Sequence, residues 1–228
     1  MEPTETFLEP AEYVDSSAPS IVDFARRVCE GAPDDVTKAV RLYYAIRDGI
    51  VYTPYCDFKA PETFRASACL ERGSGFCVAK AALLAAAARA SGIRARVGFA
   101  DVRNHLTTPR LRGLMGTDVF YYHGYTELFL GGRWVKATPA FDRGLCERFG
   151  VRPLDFDGRE DSLFHPLDVA GRRHMEYVGN RGAFADVPVA LILETFNRCY
   201  PRLTAGEPAP SATAFRREAS PIQSDPDE

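Results

Sequence analysis

The sequence has few of the residues and patterns from which metal sites and membrane segments are built. Its 228 residues include four histidines and one tryptophan, and it contains no CxxC or HExxH pattern. Structural zinc sites usually need such clusters of Cys and His. The longest uninterrupted apolar run, residues 81–88, is far shorter than the about 20 residues of a membrane-spanning helix. We therefore expect no metal, no cofactor and no membrane span.

The sequence also lacks a large excess of charge of either sign. The 28 Lys and Arg residues and the 31 Asp and Glu residues are interspersed, and the formal net charge is -3. Such a chain has neither the basic stripe of a nucleic-acid-binding protein nor a polybasic membrane patch. The first residues are acidic and lack the basic and apolar regions of a secretory signal. We therefore expect a cytoplasmic protein that binds no nucleic acid.

One cysteine stands at a position that favours reactivity. Cys77 follows Gly73-Ser-Gly75-Phe and begins an alanine-rich run that ends near Gly92. The free N–H groups of a helix N-terminus lower the pKa of a thiol and can also hold an oxyanion. The position therefore predicts a nucleophile that reacts with alkylating reagents near pH 6. The remaining cysteines, interpreted as buried apolar residues, are Cys29, Cys56, Cys69, Cys146 and Cys199.

A second segment carries a histidine on a predicted strand. His123 lies in the run 119–130, and the turn Gly131-Gly132 joins this run to a second β-type run, 133–140, which contains Trp134. Together with the Cys77 segment, this pattern resembles the transglutaminase-like superfamily of papain-type thiol enzymes, over roughly residues 35–142. The resemblance implies that Cys77 is the nucleophile and His123 its base. It also implies an α+β fold with N-terminal helices and a central Cys-bearing helix packed on an antiparallel sheet.

The third member of the implied triad departs from the family pattern. Members usually carry Asp fifteen residues after the His, and here that position is Thr138. If Gly131-Gly132 forms a two-residue turn, residues 138 and 142 become the diagonal neighbours of His123. We favour Asp142 over Thr138 because a carboxylate stabilises an imidazolium better than a hydroxyl does. Pro139 disturbs the ladder and weakens this inference.

Three further side chains receive interpretations. Lys80, one turn after Cys77, is interpreted as a charge on the helix surface. Tyr52 and Tyr55 are candidates for an additional donor to the oxyanion, since residues upstream of the Cys have this role in related enzymes. The segment 103–117, rich in Gly and polar residues, is predicted to be a long loop that serves as a lid or substrate-binding lip.

The predicted organisation is a single domain followed by a tail. Helices are expected near 20–29, 34–48, 67–70, 77–91 and 186–200, and a strand near 94–102. The domain is predicted to span residues 1–202, with an N-terminal helical part (18–50), a catalytic core (51–142) and a C-terminal extension (143–202). Residues 203–228 are predicted to be disordered, because they are rich in Pro, Ser and acidic residues.

The functional hypothesis is a cysteine-dependent enzyme that acts on an amide bond of a peptide or protein through an acyl-enzyme. If water resolves the acyl-enzyme, the protein is a peptidase or amidase; if an amine resolves it, the protein is a transamidase. Because no calcium-loop pattern is present, we favour hydrolysis without metal. One alternative is an acyltransferase resembling the arylamine acetyltransferases. The other is a catalytically silent binding protein that kept the fold, which Thr138 favours.

Overall fold

The alanine-rich run lies at the centre of the molecule. In the computed structural model, which describes residues 7–164, 167–205 and 213–219, it forms helix Cys77–Ala90, buried over Cys77–Arg89. The helices α1 to α9 are Pro19–Cys29, Asp35–Gly49, Ala66–Arg72, Cys77–Ala90, Pro109–Met115, Arg143–Phe149, Val189–Cys199, Pro201–Thr204 and Ala214–Glu218. The strands β1 to β6 are Val51–Tyr52, Ser74–Gly75, Ala95–Asn104, Val119–Leu130, Arg133–Ala137 and Met175–Phe184.

Four of the strands form one antiparallel sheet in the order β5-β4-β3-β6. Helix α4 packs against β4 on one side, and α1, α2 and α3 pack around α4. The fold is therefore mixed α and β, with N-terminal helices and a central helix on an antiparallel sheet, as the resemblance implied. A separate parallel pair, β1 with β2, places Tyr52 opposite Gly75.

Local sequence signals explain where several elements begin and turn. The side chain of Asp34 accepts a hydrogen bond from the Thr37 N–H and so caps α2. The hairpin between β4 and β5 pairs Leu130 with Arg133, which confirms the predicted two-residue turn. Strand β5 ends at Ala137 rather than at 140, because Pro139 cannot donate to the ladder.

The sheet includes a strand that the sequence did not predict. Strand β6 comes from the region beyond residue 142, so the expected boundary of the catalytic core separates strands of a single sheet. Its glycines, Gly179 and Gly182, and its exposed positions conceal the alternation that identifies a strand. Two irregularities in its pairing with β3 weaken the pattern further.

Two segments predicted to lack regular structure contain helices. The expected loop 103–117 contains α5, whose N-terminus is capped by Thr108. Residues 203–205 and 213–219 were predicted to belong to a disordered tail, but they include helical structure. Helix α8 ends at Thr204, and helix α9 buries Phe215. The rest of that tail, 206–212 and 220–228, lies outside the described residues.

Lys80 is not a surface charge, and that interpretation was wrong. The residue is completely buried, and its Nζ donates hydrogen bonds to the carbonyl oxygens of Arg47 (3.0 Å) and Ile50 (2.7 Å). These carbonyls lie at the C-terminal end of α2, where backbone acceptors lack partners within the helix. Burial lowers the pKa of Lys80 to about 8. Lys80 therefore joins α4 to α2.

None of the helices in the described part of the chain combines the length and apolar character needed to cross a bilayer.

Candidate active site

Cys77 is the first residue of α4 and directly follows the short strand β2 and Phe76. Its neighbour Gly75 allows the close packing at this point. A methyl group on Gly75 would lie 2.7 Å from the Cys69 sulfur and 3.2 Å from Ala79 Cβ. The glycine thus lets the chain enter the helix close to α3. Cys77 itself is only 7% exposed.

The environment of the Cys77 sulfur raises its pKa rather than lowering it. Burial raises the pKa of the thiol to about 11, while hydrogen bonds from the N–H groups of Gly124, Val78 and Cys77 act in the opposite direction. The sequence predicted a lowered pKa from the helix N-terminus alone. The structure gives the opposite direction because desolvation disfavours a thiolate in an apolar enclosure.

Strand β4 touches α4 at the sulfur, and a glycine makes this possible. A methyl group on Gly124 would lie 2.8 Å from Val78 Cα and 3.2 Å from the Cys77 carbonyl carbon. No side chain could occupy that space without moving one of the two backbones. The contact places His123, the preceding residue, at the same end of the helix as Cys77.

Cys77 and His123 line the same crevice, whose empty space, including the part open to solvent, is about 400 Å³. Helix α5, within the segment predicted to be a lid or lip, contributes Leu111 and Met115 to it. No Asp, Glu, Lys or Arg from the described residues lines this crevice. Aromatic side chains form much of its wall: Phe58, Phe76, Phe120, Tyr121, Phe196 and Tyr200.

His123 also lines a second, smaller cavity, which it shares with Thr138 and Phe141. The imidazole therefore lies between the crevice of Cys77 and the cavity of Thr138. The Thr138 hydroxyl is buried and has no hydrogen-bond partner among the described residues. Thr138 thus lines the same cavity as His123, at the position where the family usually has Asp.

Asp142 has a different set of neighbours. Its carboxylate accepts hydrogen bonds from the Leu145 N–H (3.0 Å), the Tyr52 N–H (3.4 Å) and an Arg216 Nη2 (2.5 Å). The first of these caps α6, and the third ties α9 to the body of the molecule. Asp142 lines neither of the two cavities that His123 lines.

The two upstream tyrosines have separate surroundings. Tyr52 lines the crevice with Cys77, and burial raises the pKa of its phenol well above the ordinary value. The Tyr55 hydroxyl donates a hydrogen bond to the Glu218 carboxylate, so it is engaged at the C-terminal helix α9. Of the two candidates, Tyr52 is therefore the one placed at the crevice.

Tyr200 is part of the crevice and was not identified from the sequence. Its hydroxyl accepts a hydrogen bond from the Tyr121 N–H (2.6 Å) and donates one to the Val119 carbonyl (2.7 Å). The ring therefore fixes the start of β4 while it walls the crevice. About 80 residues separate the partners in the chain, and no local sequence signal indicates such a contact.

The described residues contain no group of three or more His, Cys, Asp or Glu side chains that could hold a metal ion.

Comparisons with known proteins agree with this architecture. The family model of the transglutaminase-like superfamily matches residues 22–139, just over half of the chain. A crystal structure from Cytophaga hutchinsonii, described as a "putative cysteine protease", shares 17% identity at a TM-score of 0.52. The match covers 83% of this chain and 50% of that one, so our chain spans about half the length of that protein. At this identity the likeness concerns the fold alone.

A second structure, described as a "putative protease" from Parabacteroides distasonis, shares 14% identity. That match covers 59% of this chain and 25% of that one, and its TM-score of 0.38 is too low to support an argument. A search of curated proteins found no match.

Proposed function

Because this chain belongs to the transglutaminase-like superfamily, we propose that it is a cysteine-dependent enzyme acting on amide bonds of peptides or proteins. The observation that carries the proposal is the shared crevice: a cysteine at the N-terminus of a buried helix and a histidine on the adjoining strand line one cavity. The description of the Cytophaga hutchinsonii protein, which has a similar fold, is consistent with this chemistry.

In the proposed reaction, the Cys77 sulfur attacks the carbonyl carbon of the amide and His123 takes the thiol proton. Because the pKa of the thiol is raised to about 11, we propose that proton transfer accompanies the attack rather than preceding it. Backbone N–H groups at the start of α4 stabilise the oxyanion. His123 then gives its proton to the leaving amine, which leaves a thioester on Cys77 that water or an amine resolves.

For the third position we propose Thr138 rather than Asp142, which the sequence favoured. Two observations support Thr138: it shares a buried cavity with His123, and its hydroxyl makes no hydrogen bond to any described residue, so no such bond competes with one to the imidazole. The carboxylate of Asp142 binds Leu145, Tyr52 and Arg216 instead. We propose that Asp142 stabilises the turn into α6 rather than orienting the imidazole.

The lining of the crevice supports a substrate whose acyl portion is apolar. An aromatic wall gains free energy from burying apolar groups and cannot compensate the desolvation of a charge. We therefore propose that the group presented to Cys77 carries a bulky apolar side chain.

A panel of peptide amides with a chromogenic amine tests the proposed function, with apolar, acidic and basic residues next to the scissile bond. We expect the protein to release the amine, fastest with apolar residues, and the Cys77→Ser variant to lose at least a thousandfold in rate. The matched control is Cys56→Ser, which removes a cysteine that lines a neighbouring groove outside this crevice. This control should keep its activity.

The same experiment separates the alternatives. Release that survives in Cys77→Ser would refute the nucleophile assignment. Acetyl transfer from acetyl coenzyme A to an arylamine, without amide cleavage, would favour the acyltransferase. A folded protein that is inert in both assays would be the silent binding protein.

A further inference from the structure

The strand that carries His123 contains a bulge immediately before it. Ala100 of β3 pairs with His123 of β4, whereas Val102 pairs with Phe120. Two residues of β4, Tyr121 and Tyr122, therefore lie opposite one residue of β3. Side chains alternate between the faces of a sheet, so one extra residue decides which face the following side chain takes. The side-chain direction of His123 therefore depends on this bulge.

The bulge requires an unfavourable backbone conformation. Tyr122 has a φ of +55°, and within the described ranges it is the one residue other than glycine with a positive φ. A residue with a Cβ in this region costs roughly 1–3 kcal/mol and persists only when its surroundings hold it. Left alone, the strand would relax to a regular register.

Asp101, the residue opposite the bulge, provides the constraint. Its Oδ1 accepts a hydrogen bond from the Tyr122 N–H at 3.1 Å, and its carboxylate is buried, with Asp101 only 7% exposed. Arg181 neutralises that carboxylate through two nitrogens, Nε at 3.0 Å from Oδ1 and Nη2 at 2.7 Å from Oδ2. The Arg181 guanidinium also lies 5.0 Å from the centre of the Tyr122 ring.

Arg181 reaches this site because β6 is irregular at the same level. Phe99 pairs with Gly182 and Ala100 pairs with Asn180, so Arg181 is left over between the two pairs. Both neighbours of β3, strands β4 and β6, thus depart from regular pairing next to Asp101. A buried carboxylate at the meeting point of two bulges is in a position to fix the register of both neighbours.

We propose that Asp101 is a positioning residue for His123, acting through the backbone of Tyr122; this inference rests on the proposed function of His123. Without an acceptor at position 101, the Tyr122 N–H would be buried and unpaired, which is itself unfavourable. Tyr122 would relax from its positive φ, and the side chain of His123 would turn from the crevice. Cys77 would then lose its base, while the apolar wall that binds substrate would remain.

The test compares Asp101→Ala, which removes the acceptor, with Asp101→Asn, which keeps an oxygen at the same place. Asp118→Ala is the control, because Asp118 pairs with Arg103 near the same strands but is 42% exposed. We measure kcat and KM with a peptide amide that the wild type cleaves. We also record the NMR signals of the His123 ring, identified by their loss in His123→Gln.

We expect Asp101→Ala to lower kcat at least tenfold, to change KM less than threefold and to shift the His123 signals. Asp101→Asn should keep most of kcat, and Asp118→Ala should match the wild type. Wild-type kcat and wild-type His123 signals in Asp101→Ala would overturn the proposal, as would an equal loss of kcat in Asp101→Ala and Asp101→Asn.

The NMR measurement also separates this proposal from the proposed function. If the wild type cleaves no substrate but the His123 signals shift in Asp101→Ala, the positioning holds and the enzymatic role fails. If Asp101→Ala does not fold, hydrogen exchange in the wild type decides. A slowly exchanging Tyr122 amide supports the bond to Asp101, and a freely exchanging one overturns the proposal.

Discussion

At the scale of single residues, the sequence motif located the cysteine and histidine of the candidate site, because each lies in a short segment with its own pattern. For the third position the sequence favoured Asp142 over Thr138 on an extrapolated strand register, and that register depends on where the chain turns after β5. Strand β5 ends before Pro139, so the extrapolated register no longer applies at residue 142. Asp142 instead caps α6, a role that its position just before a helix could have indicated.

Substitutions at Thr138 and Asp142 should therefore affect different quantities, kcat at Thr138 and the free energy of unfolding at Asp142. We expect Thr138→Val to lower kcat by about tenfold, a loss of about 1.4 kcal/mol in transition-state stabilisation, with little change in unfolding. Asp142→Ala should lower the free energy of unfolding by about 2 kcal/mol, because it removes a helix cap and leaves the Tyr52 N–H unpaired. Its kcat should stay within a few fold of the wild type.

Urea unfolding and steady-state kinetics on the same samples measure both effects. A larger loss of kcat in Asp142→Ala than in Thr138→Val would return the third position to Asp142.

Lys80 should make stability depend on pH in a defined window. Its folded pKa is about 8, below the ordinary value of 10.5, so between these values the unfolded chain binds more protons than the folded one. The contribution of Lys80 to the free energy of unfolding therefore rises with pH across that window and is constant below it. Between pH 7 and pH 9.5 the rise should be about 1–2 kcal/mol.

The measurement is the difference in unfolding free energy between the wild type and Lys80→Met at each pH. Taking the difference cancels the buried thiols, whose raised pKa values destabilise the fold above pH 9 in both proteins. Lys59→Met, at an exposed position, is measured alongside as the control for the loss of a lysine. A flat difference for Lys80→Met would mean that its ammonium is not desolvated.

At the scale of elements, local patterns predicted those whose contacts are close in sequence. The helix of Cys77 and the hairpin of β4 and β5 follow from composition, periodicity and a Gly-Gly turn. Strand β6 was missed, since its pairing with β3 joins residues about 80 positions apart and its glycines obscure the alternation. The bulge before His123 was missed for the same reason, because its cause is Asp101 on another strand.

The contact between β4 and α4 yields a prediction of its own. Gly124→Ala places a methyl group 2.8 Å from Val78 Cα. The backbone atoms at this contact cannot move apart unless strand β4 or helix α4 moves with them. We expect a loss of roughly 1–3 kcal/mol in stability from overpacking, with a fall in kcat as His123 moves away from Cys77.

Gly113→Ala is the matched control for that substitution. Its added methyl would meet nothing within 4 Å, and Gly113 lies inside helix α5. This variant should gain about 0.5–1 kcal/mol in stability. Equal stabilities of the two variants, measured by urea unfolding, would contradict the close approach of β4 and α4.

At the scale of the whole molecule, helix α9 lies in the region of the candidate site although it is distant from it in the sequence. Helix α9 buries Phe215 against Tyr52, Tyr55 and Phe149. Two residues that follow Phe215 add polar contacts: Arg216 pairs with Asp142, and the Glu218 carboxylate accepts a hydrogen bond from Tyr55. Because Tyr52 also lines the crevice, helix α9 supports one wall of the site.

Phe215→Ala should release this segment. We expect the unfolding free energy to fall by roughly 2–4 kcal/mol, somewhat below the usual cost of a Phe truncation, since a terminal helix can detach before the rest unfolds. The control is Arg217→Ala on the same helix, expected to change stability by less than about 0.5 kcal/mol.

Limited proteolysis of the two variants would show where the chain loosens. Faster cleavage before α9 in Phe215→Ala alone supports the expected docking, and equal cleavage in both variants would contradict it.

Burial of Cys77 also bears on how the protein survives oxidants. Peroxides react with thiolates far faster than with thiols, and they need access to the sulfur. A nearly enclosed sulfur whose pKa is about 11 is protonated at neutral pH and offers neither condition. In the proposed reaction the sulfur loses its proton only while an acyl group fills the crevice. Oxidation would then require a thiolate that the resting protein does not present, whereas turnover forms the reactive sulfur only with substrate bound. The resting protein would therefore withstand conditions that inactivate enzymes with an exposed thiolate.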